Sequence, residues 1–234
     1  MAGDVSLGAQ GLALELFQGL AKGYERALDN ATLFQDRGWK RWAVSELDLR
    51  PGDRVLDVGC GTLLLERSAM PGGVEVVGVD LTKEMLKVGI GQSHGNVAGV
   101  FNADAEHLPY RGNTFDSVVS CYVAKYVSFP AFVGELARVV KKGGKVVFYD
   151  FARPAGAFRI PLSLYFHGVL RPTGRLLKLY GSPSSTTFLK LPDIVEGSTW
   201  DLGAETILAR AGLRETARRR LTGGTVAAFA AVKT

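Results

Sequence analysis

The sequence predicts an α/β domain built on a mostly parallel β-sheet. From Arg54 onward, short β-branched runs that are apolar on both faces alternate with segments of helical length, a pattern typical of parallel strands buried between helices. One run ends in a Gly-x-Gly turn that opens a helix, as in sheets that bind ligands at their carboxyl edge. The last two runs are joined by Thr222-Gly223-Gly224, which predicts an antiparallel hairpin at the sheet edge.

The order of the elements follows from local patterns. The stretch before Arg50 carries leucines and tryptophans at helical spacing, so we expect helices that cover the open end of the sheet. Strands are predicted at 54–58, 74–80, 97–101, 115–123 and 145–151, with hairpin strands at 213–221 and 225–233. Helices are predicted at 62–69, 82–89, 129–141 and 201–211. The third of these is expected to end at Lys141-Lys142-Gly143-Gly144, because cations and glycines suit a helix C-terminus.

Composition is ordinary for a globular domain. The 234 residues are 47% hydrophobic and 22% charged, enough for a large core. The sequence has no run of eighteen apolar residues and no signal-peptide pattern at its start, so we expect a cytoplasmic protein. Cys60 and Cys121 lie in apolar strand-like runs without metal-ligand spacing and are predicted to be reduced core residues. With three histidines in the chain, no metal site is expected.

Positive charge is concentrated in the C-terminal third. Residues 1–150 contain 16 basic and 18 acidic side chains, whereas 151–234 contain 12 basic and 5 acidic ones. Between Phe151 and Pro192 there is no Asp or Glu, and basic residues are interleaved with leucines and aromatic residues. Such a segment suits an anionic membrane surface, and we expect that contact through 153–178. The alternative is a helical hairpin that packs on the domain and leaves its arginines solvated.

The chemistry of the site begins at the motif VLDVGCGT, residues 55–62. Gly59 and Gly61 allow the backbone to approach a ligand where a Cβ would clash. Asp57 would repel a pyrophosphate but suits a cationic or amino-bearing ligand. The third glycine of a dinucleotide-binding turn is replaced by Leu64. Dinucleotide binding is therefore disfavoured.

Two further acids lie at neighbouring strand ends. Asp80 ends the second strand, 21 residues after Gly59, where a carboxylate can accept two hydrogen bonds from a ribose diol. Asp104 follows the third strand, where it could accept a hydrogen bond from an adenine amino group. Together with Asp57, these acids predict a nucleoside that carries an amino acid.

The chain resembles class I S-adenosylmethionine (SAM)-dependent methyltransferases in five ordered motifs: VLDVGCGT, VVGVDLTKEML, ADAEHLPY, NTFDSVV and ELARVVKKGGKVVFYDFARP. Within that class, DFARP and TGG resemble the demethylmenaquinone and ubiquinone biosynthesis C-methyltransferases, over about residues 20–234. The resemblance implies a Rossmann-like fold: a mostly parallel seven-stranded sheet with helices on both faces and a C-terminal antiparallel hairpin. Two positions depart from the family pattern, because Leu63 replaces a glycine and Lys125-Tyr126 replaces an Arg-Asn pair.

The resemblance implies SAM as the cofactor, bound at the strand ends and the turns after them. Its expected contacts are Tyr24, Asp57, Gly59, Cys60, Gly61, Thr62, Asp80, Leu81, Met85, Asp104, Ala105 and Cys121. Tyr24 is expected to close over the methionine end. We expect no nucleic-acid partner and a monomer or a homodimer.

Methylation of a quinol ring carbon needs an electron-rich ring, so the neighbouring hydroxyl must lose its proton. Lys125 could stabilise the resulting aryloxide, and Asp150 could orient a hydroxyl or a water that acts as a base. Aromatic walls for the acceptor are expected from Tyr122, Tyr126, Tyr149 and Phe166. The alternatives are a solvated Lys125 and an Asp150 that caps a turn or pairs with Arg153.

These inferences describe one methyltransferase domain over residues 1–234, with a helical cap (1–50), a SAM-binding core (51–151), a substrate lid (152–200) and a C-terminal helix and hairpin (201–234). The expected activity is SAM-dependent C-methylation of a membrane quinol in menaquinone or ubiquinone biosynthesis, at the periphery of a membrane. Alternatives are N- or O-methylation of a phospholipid or small metabolite and SAM binding without catalysis. RNA methylation is suggested by Arg218-Arg219-Arg220, but charges in a predicted edge strand also discourage edge pairing.

Overall fold

The computed structural model describes residues 2–93, 97–153, 159–182 and 184–234. Its strands are β1 Arg54–Val58, β2 Glu75–Asp80, β3 Val97–Asn102, β4 Phe115–Cys121, β5 Val140–Phe151, β6 Leu213–Leu221 and β7 Val226–Lys233. They form one seven-stranded sheet in the order β3-β2-β1-β4-β5-β7-β6. The first five strands pair in parallel, and β7 runs antiparallel to both β5 and β6. The predicted mostly parallel sheet with a C-terminal antiparallel hairpin is confirmed.

Helices flank this sheet. The N-terminal helices are α1 Ala2–Leu20, α2 Tyr24–Ala31 and α3 Asp36–Leu47, and those between strands are α4 Leu64–Ser68, α5 Lys83–Gln92 and α6 Phe129–Val139. After β5 come α7 Arg159–Tyr165, α8 Arg171–Leu179, α9 Ser185–Gly197 and α10 Ala204–Arg210, with a π-helical turn Phe166–Leu170 between α7 and α8. None of the helices described has the length and apolarity to cross a membrane. Of the predicted lid and membrane-contact segment, 154–158 and 183 lie outside the described residues.

The end of α6 differs from the prediction. The helix ends at Val139 instead of Lys141, and β5 begins at Val140. The backbone N–H groups of Asn113 and Thr114 donate to the last two carbonyl oxygens of the helix, at 2.9 and 2.8 Å. Because the segment before β4 already provides donors for these carbonyl oxygens, the helix ends before Lys141 and Lys142.

The sheet has a hydrophobic core on each face. On one face, below α6 and α10, Phe148 and Phe229 stack at 5.4 Å and contact Trp200. On the other face, α3 packs Trp39 and Trp42 against β5 and β7. The helix α1 lies instead beside the turn at 124–126, which follows β4. The N-terminal helices therefore cover a face of the sheet and also reach its carboxyl edge.

Leu63 has an unusual backbone conformation in the turn after β1. Its φ of 58° and ψ of 32° are left-handed, a conformation that costs a non-glycine residue about 1–2 kcal/mol. The side chain is fully buried beside Cys60 and Leu86. Two glycines provide the space, because an added Cβ would lie 3.2 Å from Leu63 Cδ2 at Gly78 and 3.0 Å from Leu63 Cγ at Gly89. Burial of this leucine therefore offsets the strain of the turn.

We expect Leu63→Gly to destabilise the protein, although glycine would relieve the left-handed strain. Truncation of a buried leucine costs about 2–5 kcal/mol, which exceeds the conformational gain of about 1–2 kcal/mol. Urea denaturation should show a net loss of about 1–3 kcal/mol in the free energy of unfolding. The matched control is Leu33→Gly, because Leu33 has a φ of 50° but is 63% exposed. A Leu63→Gly protein as stable as the control would contradict the argument.

Candidate active site

A cavity lies at the carboxyl ends of β1, β2 and β4, and we call it the strand-end cavity. Most of the predicted cofactor contacts line it: Tyr24, Gly59, Gly61, Asp80, Leu81, Met85, Asp104, Ala105 and Cys121. Two of the predicted acceptor contacts, Tyr122 and Tyr126, also reach it. The parallel strands therefore bring together residues that are up to about a hundred positions apart in the chain.

The glycine turn after β1 forms part of the cavity wall. Gly59 and Gly61 have positive φ values of 78° and 55°, which glycine adopts without strain. A Cβ on Gly59 would lie 2.2 Å from Val123 Cγ2, and one on Gly61 would lie 3.1 Å from Met85 Cε. Both positions therefore need glycine for the turn to close against its neighbours.

Asp80 links the glycine turn to the start of α5. Its Oδ2 accepts a hydrogen bond from the backbone N–H of Gly61 at 2.9 Å, and its Oδ1 accepts one from that of Thr82 at 2.7 Å. Burial raises the pKa of Asp80, and these two hydrogen bonds act in the opposite direction. Each carboxylate oxygen has a second lone pair, so Asp80 can also accept hydrogen bonds from a ligand.

Asp104 is held by several donors at the other side of the cavity. Its Oδ1 accepts hydrogen bonds from the backbone N–H of Glu106 at 2.9 Å and from Gln10 Nε2 at 3.2 Å. Gln10 Nε2 also donates to Glu106 Oε1 at 2.8 Å, and Asp104 Oδ2 lies 3.2 Å from His107 Nδ1. The helix α1 thus closes over the acid that the sequence assigns to the adenine amino group.

The lining of the strand-end cavity fits a cationic nucleoside. Its two charged residues are Asp80 and Asp104, and none of the described residues on its wall is a lysine, arginine or histidine. A site with acids and no cation attracts a positively charged ligand and repels a pyrophosphate. The absence of a Cβ at Gly61 leaves the backbone open to the ligand at this wall. The residues present therefore fit SAM.

Three predicted cofactor contacts lie outside the cavity wall. Cys60 packs its Sγ against β2, where a Cβ on Gly78 would lie only 2.7 Å away. Thr62 donates its hydroxyl hydrogen bond to Glu25 Oε1 at 2.9 Å. Asp57 is 2% exposed and lies in the interior with Glu66, which is 8% exposed. All three therefore contact other parts of the protein and are absent from the lining of the strand-end cavity.

Asp57 and Glu66 form a buried acid pair. Oδ1 of Asp57 and both carboxyl oxygens of Glu66 have no hydrogen-bond partner among the residues described. Burial, followed by the charge of Glu66, raises the pKa of Asp57 well above its usual range, although Lys40 acts against this shift. Burial also raises the pKa of Glu66. The pair therefore retains a proton at higher pH than two free carboxyl groups would.

A second cavity adjoins the first, and we call it the apolar chamber. The two share Phe17, Tyr24, Tyr122 and Tyr126 as common walls. The remaining lining comes from α1, α2, β5 and α9: Leu20, Ala27, Leu28, Ala31, Phe151, Thr187, Phe188 and Leu191, together with Lys125. Among the residues described, this wall therefore carries one charged side chain.

Lys125 is almost fully buried, with 2% of its side chain exposed. Its Nζ lies 2.6 Å from Asp150 Oδ1 and donates to the carbonyl oxygen of Tyr122 at 3.0 Å. The ammonium group also lies 4.3 Å from the ring centroid of Tyr126 and 5.6 Å from that of Phe151. Burial lowers the pKa of Lys125, whereas Asp150 acts to raise it. The chamber thus holds a desolvated cation in an aromatic setting.

Asp150 lies behind Lys125 and lines neither cavity. Its Oδ2 accepts a hydrogen bond from the backbone N–H of Lys125 at 3.0 Å, and its Oδ1 accepts one from that of Phe151 at 2.6 Å. Burial raises the pKa of Asp150, and the neighbouring Lys125 is the main opposing influence. Both carboxylate oxygens accept hydrogen bonds from protein donors, two of which belong to Lys125, so Asp150 supports Lys125 from behind.

The other two predicted acceptor contacts lie behind the chamber. Tyr149 is 1% exposed and donates its hydroxyl hydrogen bond to Asp36 Oδ1 at 3.0 Å, an oxygen that also accepts one from Tyr122 at 2.6 Å. Phe166 packs in the cluster that joins α1, α2 and α9. Both lie in the layer of side chains that supports the chamber wall.

The structure adds site residues that the motifs did not indicate. Gln10 and Phe17 reach the strand-end cavity from α1, and Thr187 and Phe188 line the chamber from α9. The hydroxyl oxygen of Thr187 is buried and has no hydrogen-bond partner among the described residues. The apolar pattern of α1 indicated a helix that covers the sheet edge, but no local sequence signal singles out Thr187.

The arginine triplet in β6 has structural partners. Arg218 pairs with Glu205 and Glu215, and Arg220 pairs with Asp201. The guanidinium of Arg219 lies 5.5 Å from the ring centroid of Trp42. These contacts account for the triplet without a nucleic acid.

Comparison with known proteins agrees with this geometry. The model of a methyltransferase domain family matches residues 56–148. A demethylmenaquinone methyltransferase of Mycobacterium marinum is 31% identical over 219 residues, covering 93% of this chain and 92% of that protein.

Solved structures share the fold at lower identity. A chain of the Haloferax volcanii complex with the Trm112 methyltransferase activator is similar with a TM-score of 0.63 and 16% identity, over 92% of this chain and 96% of that chain. Magnesium protoporphyrin IX methyltransferase of Synechocystis PCC 6803, solved with bound SAM, has a TM-score of 0.52 and 16% identity, over 84% and 77%.

The buried acid pair predicts a specific pH dependence. Because the folded-state pKa values of Asp57 and Glu66 are raised, these two groups together bind more protons in the folded protein than in the unfolded chain above about pH 4. The protonated pair therefore contributes most to the free energy of unfolding at low pH. This contribution is lost as the pH rises through the raised pKa values. Glu66→Gln should flatten this decline, and at pH 8 it should be at least as stable as the unmodified protein.

Urea denaturation between pH 5 and pH 8 measures this effect. The matched control is Glu84→Gln, because Glu84 lies at the start of α5 outside the buried pair. A Glu66→Gln protein that loses stability with pH as steeply as this control would overturn the assignment.

Asp80→Ala should weaken SAM binding. The change removes a buried acceptor of charge-assisted hydrogen bonds, each of which contributes about 1.5–3 kcal/mol, or about 10- to 150-fold in Kd. Isothermal titration calorimetry measures the affinity, and thermal unfolding of the same samples checks that the turn remains folded. Asp80→Asn keeps one carbonyl oxygen as an acceptor, so its affinity for SAM should fall less than that of the alanine variant. Unchanged affinity in the folded alanine variant would exclude Asp80 from the SAM site.

Proposed function

Because the chain belongs to the SAM-dependent methyltransferase family that includes the demethylmenaquinone methyltransferases, we propose that it methylates a ring carbon of a quinol with an apolar tail. One observation carries this proposal: the strand-end cavity adjoins an apolar chamber in which a buried lysine is the one charged side chain among the lining residues described. Bound SAM would supply an electrophilic methyl group on a positively charged sulfur. The acceptor must then reach that methyl group from the chamber.

The chamber suits a flat aromatic head with a hydrocarbon tail. Tyr122 and Tyr126 stand at the junction with the strand-end cavity, and aliphatic side chains such as Leu20 and Leu191 form more distant walls. Aromatic walls pack well against a ring, and aliphatic walls bury hydrocarbon at about 25 cal/mol per Å². The lining therefore supports an acceptor that places its ring at the junction and its tail among the aliphatic residues.

Lys125 is the group that we assign to electrostatic stabilisation. Loss of a proton from the quinol hydroxyl makes the neighbouring ring carbon nucleophilic and places negative charge on oxygen. The Lys125 ammonium group, shielded from water, can stabilise that oxygen as the new carbon–carbon bond forms and the bond from the methyl carbon to sulfur breaks. Methylation leaves a neutral ketone form of the ring, and the proton on the methylated carbon then moves by way of water to the ketone oxygen to restore the quinol. The proton first lost from the hydroxyl goes to water, so the net reaction exchanges one proton for one methyl group.

Asp150 acts through Lys125 in this proposal. It binds both the Nζ and the backbone N–H of Lys125, so it fixes the position of the cation at the chamber wall. The unpartnered hydroxyl of Thr187 offers a second polar contact in the chamber, suited to another oxygen of a quinol. Two polar contacts in an otherwise apolar site would orient the ring.

The chamber gives less support to methylation of an amine. A cationic amine would be attracted by acids, yet no aspartate or glutamate is among the residues described as lining the chamber. Lys125, whose charge is paired with that of Asp150, is a hydrogen-bond donor and offers such an amine no acceptor. These charges favour an acceptor that becomes negative when it reacts.

The experiment that tests the proposal uses labelled SAM and a short-tailed naphthoquinol kept reduced under nitrogen. We expect a product in which carbon-13 NMR shows the new methyl group bound to a ring carbon. Phosphatidylethanolamine in detergent serves as the competing acceptor. A methyl group found only on nitrogen or oxygen would contradict the proposal.

The double variant Lys125→Gln/Asp150→Asn tests the role of the ion pair. Removing both charges avoids the cost of one unpaired buried charge, which is about 3–5 kcal/mol, so the protein should remain folded. We expect kcat with the quinol to fall by about 100-fold, while the Kd for SAM stays within about twofold of the original. A kcat equal to that of the unmodified protein, with thermal unfolding also unchanged, would exclude Lys125 from catalysis.

A further inference from the structure

The helices α7 and α8 present a surface that is both apolar and basic. Exposed apolar side chains lie along the continuous helical stretch 159–180: Ile160, Leu164, Val169, Leu176, Leu179 and Tyr180. Leu179 is 83% exposed and Tyr180 is 80% exposed. Arg175 and Lys178 are exposed on the same stretch. We call these eight residues the docking face.

The residues that hold this stretch on the protein lie on its opposite side. Phe166, Leu170 and Gly174 are buried against α9 and the N-terminal helices. Isolated exposed apolar residues are common on protein surfaces, but a series along one helical stretch marks an interaction surface. The docking face is therefore open on the side away from the domain.

Charge distinguishes this surface from an ordinary solvated helix. No Asp or Glu occurs between Phe151 and Pro192. Arg171 and His167 are paired with Asp193 and Glu196 of α9, whereas Arg175 and Lys178 have no ion-pair partner among the described residues. Arg175 and Lys178, which lie beside the exposed apolar side chains, are therefore available to bind an external anion.

We propose that the docking face binds the surface of an anionic phospholipid bilayer. Leucine and tyrosine side chains would enter the boundary between headgroups and acyl chains, while Arg175 and Lys178 would lie among anionic headgroups. This is the arrangement of an interfacial amphipathic helix. Charge complementarity commits the proposal to an anionic lipid surface, because the segment carries cations without acids.

The docking face lies one helix away from the apolar chamber. Gly174 of α8 packs so closely on α9 that an added Cβ would lie 2.9 Å from Leu189 Cγ and 3.1 Å from Phe188 Cβ. Phe188 and Leu191 of α9 line the chamber. On the basis of the proposed function, a lipid-tailed quinol would pass from the docked membrane into the chamber along α9.

Sedimentation with vesicles tests the docking itself, without any acceptor. The probes are phosphatidylcholine vesicles with and without 30% phosphatidylglycerol, at low and high salt. We expect binding to the anionic vesicles that weakens as salt screens the attraction. Arg175→Gln/Lys178→Gln should weaken it by about 25-fold, taking each cation as about fivefold. Leu176→Asn/Leu179→Asn should weaken it by on the order of tenfold or more.

The matched control is Leu202→Asn/Arg210→Gln. Leu202 is 67% exposed and lies just before α10, and Arg210 is exposed at the end of α10. This helix packs on α6 and β6, away from the docking face. These changes remove the same kinds of side chain, so the control should bind anionic vesicles like the unmodified protein.

Two results would overturn the proposal. One is equal binding of all variants to anionic vesicles. The other is sedimentation equilibrium showing a dimer that the docking-face variants abolish, without vesicle binding, because the face would then join two copies of the chain.

Activity on the soluble short-tailed quinol separates this proposal from the proposed function. The docking-face variants should keep their full kcat with that acceptor. If the unmodified protein binds vesicles but does not methylate the quinol, docking stands and the proposed acceptor is wrong. If it methylates the quinol but does not bind vesicles, the proposed acceptor stands and the docking proposal is wrong.

Discussion

The buried ion pair between Lys125 and Asp150 is the interaction on which both cavities depend. Asp150 holds the Nζ of Lys125 and also its backbone N–H, so one carboxylate fixes the turn after β4 and the charge that the turn carries. That turn contains Tyr126, which forms a wall of both cavities. Leaving one member of such a pair alone in the interior would cost about 3–5 kcal/mol. The shape of the site and its electrostatics are thus set by the same contact.

A second buried network supports the same wall from the side of α3. Asp36 is fully buried, pairs with Lys40, and accepts hydrogen bonds from Tyr122 and Tyr149. Because Tyr122 stands at the junction of the cavities, α3 contributes to the site without touching it. A satisfied polar network of this kind rigidifies its surroundings, which is what a reaction governed by positioning requires.

The sheet and the strand-end cavity were predictable because their signals are local. β-branched runs define the strands. Asp80 ends one strand and Asp104 comes just after the next, so the parallel topology brings them to one edge. Asp57 shows the limit of this reasoning: its position in the motif does not reveal that its side chain faces Glu66 instead of the cavity. The chamber was less predictable, because Thr187 and Phe17 come from helices at opposite ends of the chain and meet only through tertiary packing.

The two cavities carry opposite charges, and this division fits the proposed reaction. The strand-end cavity is lined by the acids Asp80 and Asp104, and the chamber by the cation Lys125. A methyl donor with positive charge and an aryloxide with negative charge would each meet the complementary wall. Transfer of the methyl group consumes both charges, so the transition state is less polar than the separated ions. Water would stabilise those ions, and the apolar walls of the chamber would exclude it. The same walls that bind the tail would therefore favour the chemistry at the ring.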